Sequence, residues 1–474
     1  MKTFFISMLL FSISFSNQEK NIANIQITEK QDLKIISELG IEIDHYRTLD
    51  EIHVFVNDTE FKNIQKLGYQ INYIPNEAKI YYDKLLNETR GSDNPLAEYH
   101  NYSELTDFLQ NIAKQYPNIT NLKSIGKSVQ GRELWVMEIS NNPTVNEIEP
   151  EFKYIANMHG DETPGREFSL FLIEWLCKNY GITDRATNLV NNTAIFIMPT
   201  MNPDGFEMGM RYNANYVDLN RDFPDQFVDN SNSLQGRQPE TQAVMQWSSE
   251  HNFTLSANMH SGALVVNYPY DGPTTGNYSA CPDDDLFVQI SLTYSNNHPN
   301  MSSGGFNNGI TNGADWYALS GGMQDWNYVW EDNFEVTLEQ SQTKFPNASQ
   351  LEPLWNQHKE SMISYIEEIH RGLRGIVTDV YTNEPIPAKI HVEGINHDIY
   401  ADIENGDYYR LLTPGEYMIT VSHDSYNSQT VSINIPLNGF IEYNFYLTPD
   451  SIIGDNNFNG SINILDVIIL INYI

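Results

Sequence analysis

Residues 154–180 read YIANMHGDETPGREFSLFLIEWLCKNY. YIANMH (154–159) is a short apolar run, and FSLFLIEWLCKNY (168–180) places apolar residues at helical spacing. A buried strand passing through a Gly- and Pro-containing turn into a helix is the repeating unit of an α/β sheet. The same texture extends outward. ELWVMEI (133–139), TAIFIMP (193–199) and LSANMH (255–260) are short, apolar and bounded by polar residues, and LTDFLQNIAKQY (105–116) is an amphipathic helix. Strand–helix alternation from Leu96 to Arg371 predicts one large α/β domain with a mixed sheet.

The chain has 474 residues, 40% of them hydrophobic. At about 100–200 residues per domain it should hold two to four domains. Its 27 Lys plus Arg against 62 Asp plus Glu give a net charge of −35, which leaves no basic face for phosphate contacts and argues against nucleic acid and anionic membranes. Two cysteines exclude a disulfide scaffold or a multi-cysteine metal cluster. In an oxidising compartment Cys177 and Cys281 could pair; the sequence leaves this open.

MKTFFISMLLFSISFS (1–16) has one Lys, an apolar run and small residues at Ser14 and Ser16, the pattern of a signal peptide cleaved near Ser16. A buried first strand or helix is the alternative. No other stretch reaches the roughly 18 apolar residues of a membrane helix, so an exported, soluble protein is expected. Within 17–90, ISELGIEID (36–44) repeats as IQKLGYQIN (64–72), with EIHVFV (51–56) as a strand between. Two such units predict a small ferredoxin-like α/β domain, either a pro-segment or a plain packing domain. GSDNP (91–95) marks its boundary with the domain at 96–371. From 372 to 449, KIHVEG (389–394), YRLLTPGEYMITVS (409–422) and QTVSINI (429–435) predict a small antiparallel β-sandwich.

The tail, 450–474, contains GDNNFNGSINILD (454–466). Asp455, Asn457, Asn459, Ser461, Asn463 and Asp466 fall at alternating loop positions with Gly460 at the sharp turn, a spacing that can surround Ca²⁺ with oxygen. The stretch resembles half of a dockerin repeat, which implies a cohesin-like or cell-surface partner. Its asparagines reduce ligand charge, so weaker binding is expected. Dockerins usually carry two repeats; either the chain is truncated or this is a lone calcium-stapled tail, and an Asn-rich linker is the plain alternative.

His159 and Glu162 lie three apart just past a strand. Alone this is weak, because chance supplies about one or two such pairs in a chain of this composition. His260 closes the nearly identical phrase SANMH. Two such strand ends in a mostly parallel sheet share the carboxyl edge, where α/β sheets bind ligands. His, Glu and His form the three-ligand zinc site of a hydrolase, with one position left open. NPDGFEMGMRYNANYVDLNRDFP (202–224) adds Arg211, Asp218, Asn220 and Arg221 in a loop. Its arginines are either salt-bridged surface residues or, with Asn220, a forked binder of carboxylate.

With these motifs the chain resembles the zinc metallocarboxypeptidases of the carboxypeptidase A/B superfamily, and most the regulatory branch of carboxypeptidases D, E, M and N. The likeness covers about 97–450. It rests on SIGKSVQGREL (124–134), NMHGDETPGRE (157–167), NPDGFE (202–207), DLNRDFP (218–224), NMHSG (258–262), YPYDG (268–272), GGMQDWNY (321–328) and FEVTLEQSQTKFP (334–346). It implies the metallocarboxypeptidase fold, a mixed sheet of eight strands flanked by helices, followed by a transthyretin-like β-sandwich. His159, Glu162 and His260 match the zinc ligands, and Asp218 the carboxylate that orients His159. Glu339 matches the glutamate that takes a proton from water and returns it to the leaving amine. Arg211, ten residues before Arg221, matches the arginine that holds the oxyanion. Asn220 and Arg221 match the anchor for the substrate's terminal carboxylate, and Tyr317 the tyrosine that caps it.

Asp271, eleven residues after His260, and Gln324, fifteen before Glu339, fall where the family tunes its side-chain pocket. A pocket carboxylate favours Lys or Arg over apolar or acidic side chains; a solvated turn residue is the other reading of Asp271. The expected function is therefore secreted, zinc-dependent release of C-terminal Lys or Arg from peptides or proteins. A broad or apolar specificity, and a non-catalytic adhesion relative, are the alternatives. QSQTKFP (340–346) lacks a Cys that relatives often carry, and Asp222 stands where Asn is commoner, which should weaken carboxylate binding slightly. The N-terminal domain and the tail are absent from the animal enzymes' layout and fit an exported bacterial protein.

Overall fold

The computed structural model of the chain describes residues 20–48, 51–87, 98–450 and 464. The signal-peptide segment, the GSDNP break and the six proposed calcium ligands lie outside the described residues. The chain divides into two compact units, Met1–Asn76 and Glu77–Ile474. The division falls before the GSDNP break that the sequence suggested.

The first unit runs β1 (Asn21–Gln26), α1 (Lys30–Glu38), β2 (Glu42–Thr48), β3 (Glu51–Val56), α2 (Asp58–Lys66) and β4 (Ile71–Tyr73). Its sheet has the order β2-β3-β1-β4 with antiparallel pairs, the ferredoxin-like arrangement. Alternation in β1 and β3 turns Ala23, Ile25, Ile52, Val54 and Val56 to one face, where they meet Leu33, Ile36, Ile64 and Ile71. Asn57 starts α2 with a capping box: its side chain accepts from the Thr59 and Glu60 N–H groups, and Glu60 accepts from the Asn57 N–H.

The second unit begins with α3 (Glu77–Asn87) and α4 (Tyr102–Gln115). Its main sheet comprises β5 (Thr120–Lys127), β6 (Glu133–Ile139), β7 (Glu151–Ala156), β8 (Ala194–Met198), β9 (Phe253–His260), β10 (Leu264–Tyr268), β11 (Ile310–Asn312) and β12 (Phe334–Gln340). The spatial order is β11-β10-β12-β9-β7-β8-β6-β5. The centre, β12-β9-β7-β8, is parallel, and antiparallel pairs flank it. The intervening helices are α5 (Pro164–Asn179), α6 (Asp184–Asn192), α7 (Pro203–Met208), α8 (Pro239–Ser249), α9 (Asp284–Asn297), α10 (Gly313–Trp316), α11 (Met323–Trp330) and α12 (Leu351–Glu367). The central strands β9 and β12 are buried along their whole length, as parallel strands covered on both faces must be. Tyr154 faces the cluster that contains residues of α5, α9 and α12, while its neighbour Ile155 faces the one built with α8 and α11.

Two edges of the sequence reading move. β7 stops at Ala156, not at His159, because Asn157 takes a left-handed φ of 55°. In the C-terminal region, β13 (Gly372–Asp379), β14 (Lys389–Val392), β15 (Ile395–Tyr400), β16 (Asp407–Arg410), β17 (Gly415–His423), β18 (Tyr426–Ile435), β19 (Phe440–Glu442) and β20 (Phe445–Pro449) form one sheet of order β15-β14-β17-β18-β20-β13-β16, with β19 pairing β13 off that path. The region is a β-sandwich in character but not purely antiparallel, since β13 pairs parallel with β19 and β20. Arg410 of β16, fully buried, seats it on the larger domain by donating to Asp283 at 2.7 Å.

Helix α3 packs on the larger domain. Tyr81 meets Phe345 at 4.5 Å between ring centroids, Tyr82 meets Phe206 at 5.8 Å, and the Tyr82 hydroxyl donates to Glu207 at 2.6 Å. A chain starting at Glu77 should therefore keep the melting temperature of the larger unit. One starting at Glu98 should melt several degrees lower, as expected for losing two packed aromatics. Equal melting of the two truncations would contradict this role for α3.

Candidate active site

The end of β9 carries His260, and parallel register places Glu339 of β12 beside it. The neighbouring β7 releases the chain at Asn157 into the loop that bears His159 and Glu162. Asn157 builds that loop. Its side-chain amide donates to the carbonyls of His159 (2.8 Å), Gly160 (3.2 Å) and Glu162 (3.0 Å), and its oxygen accepts from Thr200. The two NMH phrases are thus not equivalent: Asn258 stays in its strand and donates into the core, to Glu335 at 2.8 Å.

His159, Glu162 and His260 are 3%, 1% and 3% exposed, and one ligand atom from each lies within 4.8 Å of the others. Nδ1 of His159 is 3.0 Å from Glu162 Oε1, and Nδ1 of His260 is 2.8 Å from Glu162 Oε2. The two Nδ1 atoms are themselves 3.0 Å apart. Facing lone pairs at this distance repel unless a proton or a cation joins them. His159 Nε2 lies 3.0 Å from Asp218 Oδ1, so a proton held there leaves Nδ1 free to bind metal. Two imidazole nitrogens and a carboxylate converging in a buried site fit zinc with an open position.

Charge is arranged around this point. Burial opposes ionisation of Glu162, but His159, Lys344 and His260 hold its carboxyl well below the usual range. Lys344 reaches Asp161 at 3.1 Å and Glu162 at 3.5 Å. Burial lowers the His260 pKa. Burial and Arg211 also act to lower His159, yet Glu162 and Asp218 outweigh them and bring it to about 9. Glu339 is pushed well above the usual carboxylate range by burial and by Glu162, and its buried Oε2 has no hydrogen-bond partner among the described residues. A dication at the three ligands would draw it back down.

Arg211, 2% exposed, donates through Nε to Asp218 at 2.9 Å and lies 3.1 Å from His159 Nδ1. Asp218 also accepts the Asn220 N–H at 2.8 Å and so caps the short turn that presents Asn220 and Arg221. The Asn220 side chain accepts from the Met323 N–H at 3.0 Å, tying this turn to α11. The Tyr317 hydroxyl is raised by burial and feels Arg221, Glu339, Arg211 and Asp271, which places it among them. Asp271, 2% exposed, accepts from Asn267 at 3.1 Å and from Gln324 at 3.2 Å, so it is not a solvated turn residue. Asp222 accepts the Gln238 N–H at 2.7 Å, and burial raises its carboxyl. Cys177 and Cys281 are both buried and unpaired.

Asn157, Lys344 and Asp325 escaped the sequence reading, as did a buried ring behind Glu339. His358 Nε2 lies 2.7 Å from the Gln340 carbonyl, the Tyr294 hydroxyl 2.9 Å from His358 Nδ1, and Gln340 Nε2 donates to Tyr294 at 3.1 Å. The ring fixes the backbone directly after Glu339 from the opposite face of the strand. His358→Leu should lower kcat roughly tenfold with KM nearly unchanged, since small displacements of reacting groups are costly. His358→Gln, which keeps a donor, should restore most of it; unchanged kcat in the Leu variant would exclude a positioning role.

A family model described as zinc carboxypeptidase matches residues 105–361. Human carboxypeptidase D is 46% identical over 399 residues, covering 78% of this chain and 29% of that protein. The chain thus spans under a third of the length of the carboxypeptidase D relatives it matches. Carboxypeptidase SOL1 of Arabidopsis thaliana is 44% identical over 368 residues, 77% of this chain and 75% of that one. Mouse carboxypeptidase M is 44% identical over 362 residues, with 71% and 81% covered. Among solved structures, the fold resembles carboxypeptidase A from Helicoverpa armigera, with a TM-score of 0.58, 19% identity, and 74% of this chain and 98% of that one covered.

Proposed function

The chain belongs to the zinc carboxypeptidase family, and we propose that it hydrolyses the C-terminal peptide bond of peptides or proteins to release Lys or Arg. The observation that carries this reading is the convergence of His159, Glu162 and His260 beside Glu339, with the buried Asp271 in the loop that follows β10. The chemistry that zinc supplies when bound is Lewis acidity, which polarises a carbonyl and eases the deprotonation of water. Glu339 takes the water's proton and gives it to the leaving amine. Arg211 faces the carbonyl oxygen as negative charge grows on it, an interaction stronger in the transition state than in the ground state. Asn220 and Arg221 bind the terminal carboxylate with forked geometry, and Tyr317 closes over it. Asp271 and Gln324 take the basic side chain.

The remaining assignments belong to the same proposal. Residues 1–16 direct export, and 372–449 form a transthyretin-like domain. The N-terminal domain acts as a pro-segment, and the tail binds calcium weakly as a dockerin-like repeat that engages a cohesin-like or cell-surface partner. No helix among the described residues is long and apolar enough to cross a membrane.

Two blocked dipeptides, one ending in Arg and one in Phe, assayed with and without a zinc chelator, test the reading. Chelator-sensitive release of Arg far above Phe is expected. Preference for Phe would discard the Asp271 assignment. Release of neither, also from a chain beginning at Glu77, would discard the hydrolase.

A further inference from the structure

Three carboxyl groups, not one, gather around the pocket assigned to the substrate's side chain. Asp225, Asp271 and Asp325 are 4%, 2% and 4% exposed. Asp325 follows Gln324 on α11 and presses its carboxylate against the main chain of Asp271, whose N–H lies 3.1 and 3.0 Å from the two oxygens. Gln226 Nε2 also donates to Asp325, at 2.8 Å. Asp225 accepts the N–H groups of Phe227 and Gly321 at 2.8 and 3.0 Å. Among the described residues, none of the three forms an ion pair with Lys, Arg or His.

The groups that face Asp271 and Asp325 from the surrounding elements are few. Arg221 approaches from the turn capped by Asp218 and Asp225 from the loop after it, Glu335 from β12, Tyr317 from the end of α10, and Tyr270 and Cys281 from the connections beyond β10. Arg221 is the one cation in this set, and its guanidinium donates to the Asn220 carbonyl. Nearby amide oxygens of Asn267, Gln324 and Gln226 are buried and have no donor among the described residues. The pocket therefore has an excess of acceptors and of negative charge, and two adjacent buried carboxylates cannot both ionise cheaply without a counter-charge.

We propose that Asp325 is a second specificity-determining carboxyl group, and that seating a basic C-terminal residue beside Asp271 expels one proton from the Asp271–Asp325 pair to solvent. The proposal rests on Asp271 being the pocket carboxylate. Burial raises the Asp271 carboxyl to about 6 in the pocket without substrate, and burial together with Asp271 raises Asp325 well above the ordinary range. Such a pair titrates as a unit. The incoming guanidinium or ammonium supplies the missing positive charge, so basic substrates compete with a proton while neutral ones do not.

The test compares the zinc-loaded full chain on blocked dipeptides ending in Arg and in citrulline, the neutral isostere of Arg, from acid to neutral pH. The Arg-to-citrulline ratio of kcat/KM should fall by up to about tenfold per pH unit on the acid side. Asp325→Asn keeps an oxygen for the Asp271 N–H and should move that limb down by about one pH unit or more. A strong preference for Arg that is flat in pH, or a limb unmoved by the substitution, overturns the proton exchange and leaves the basic pocket standing. Equal rates for Arg and citrulline at every pH overturn the pocket and the exchange together. Should the variant fail to fold, calorimetry on the unaltered protein decides. Binding of an Arg-terminated dipeptide with a reduced scissile bond, measured near pH 6 in buffers of different ionisation heat, should release about one proton. Release of none overturns the exchange.

Discussion

Glu339→Gln should remove turnover almost completely, by roughly 10³- to 10⁴-fold in kcat, while zinc content stays at that of the unaltered chain. The substitution is isosteric and leaves His159, Glu162 and His260 in place. Strand register sets Glu339 next to His260, so the group that moves the proton and a group that holds metal share one rigid pair of strands. Glutamine cannot accept the water's proton. Metal analysis with steady-state kinetics separates two outcomes: lost activity with retained zinc supports the proton-transfer role, and lost zinc would make Glu339 part of the metal site instead. Retention of substantial kcat would remove Glu339 from the chemistry. Burial and Glu162 both raise this carboxyl, and it must be ionised to act as a base. A zinc ion at His159, Glu162 and His260 would offset the Glu162 charge and favour that ionised form.

Asp271→Asn should cost Arg substrates roughly 10²- to 10³-fold in kcat/KM, the scale for truncating one partner of a buried, hydrogen-bonded charge pair. Phe substrates should change little or improve, so the preference narrows or reverses. The carboxylate is buried and held by Asn267 and Gln324, so solvent cannot replace it once the substrate is seated. Measuring both substrates on both proteins provides the check. A parallel loss on Arg and Phe would mean that Asp271 supports the loop rather than the specificity.

Much of the site was legible in the chain itself. The strand–helix alternation fixed the α/β class, and β9 and β12 are buried along their whole length as central parallel strands are, although their polar residues Ser256, Asn258 and Glu335 are buried with them and hydrogen-bonded to one another. Metal-binding chemistry was equally plain, because few residue types can hold zinc and His159, Glu162 and His260 sit beside recognisable strands. The bend at Asn157 was not legible: NMH reads alike at 157–159 and 258–260, and only the neighbouring chain decides which copy leaves the sheet.

Register, burial and pairing across long separations belong to the tertiary structure. Asp325 is separated from Asp271 by the whole span from β10 to α11, and nothing local marks its carboxylate as pressed on the Asp271 N–H. Lys344 meets Asp161 and Glu162 only because β12 lies two strands from β7. The His358 ring joins three elements, each reading as ordinary apolar packing. The sequence determined which chemistry the chain can perform, since chemistry depends on residue type. The tertiary structure decided the charge state of each group, since that depends on the neighbours and the water that folding adds or removes.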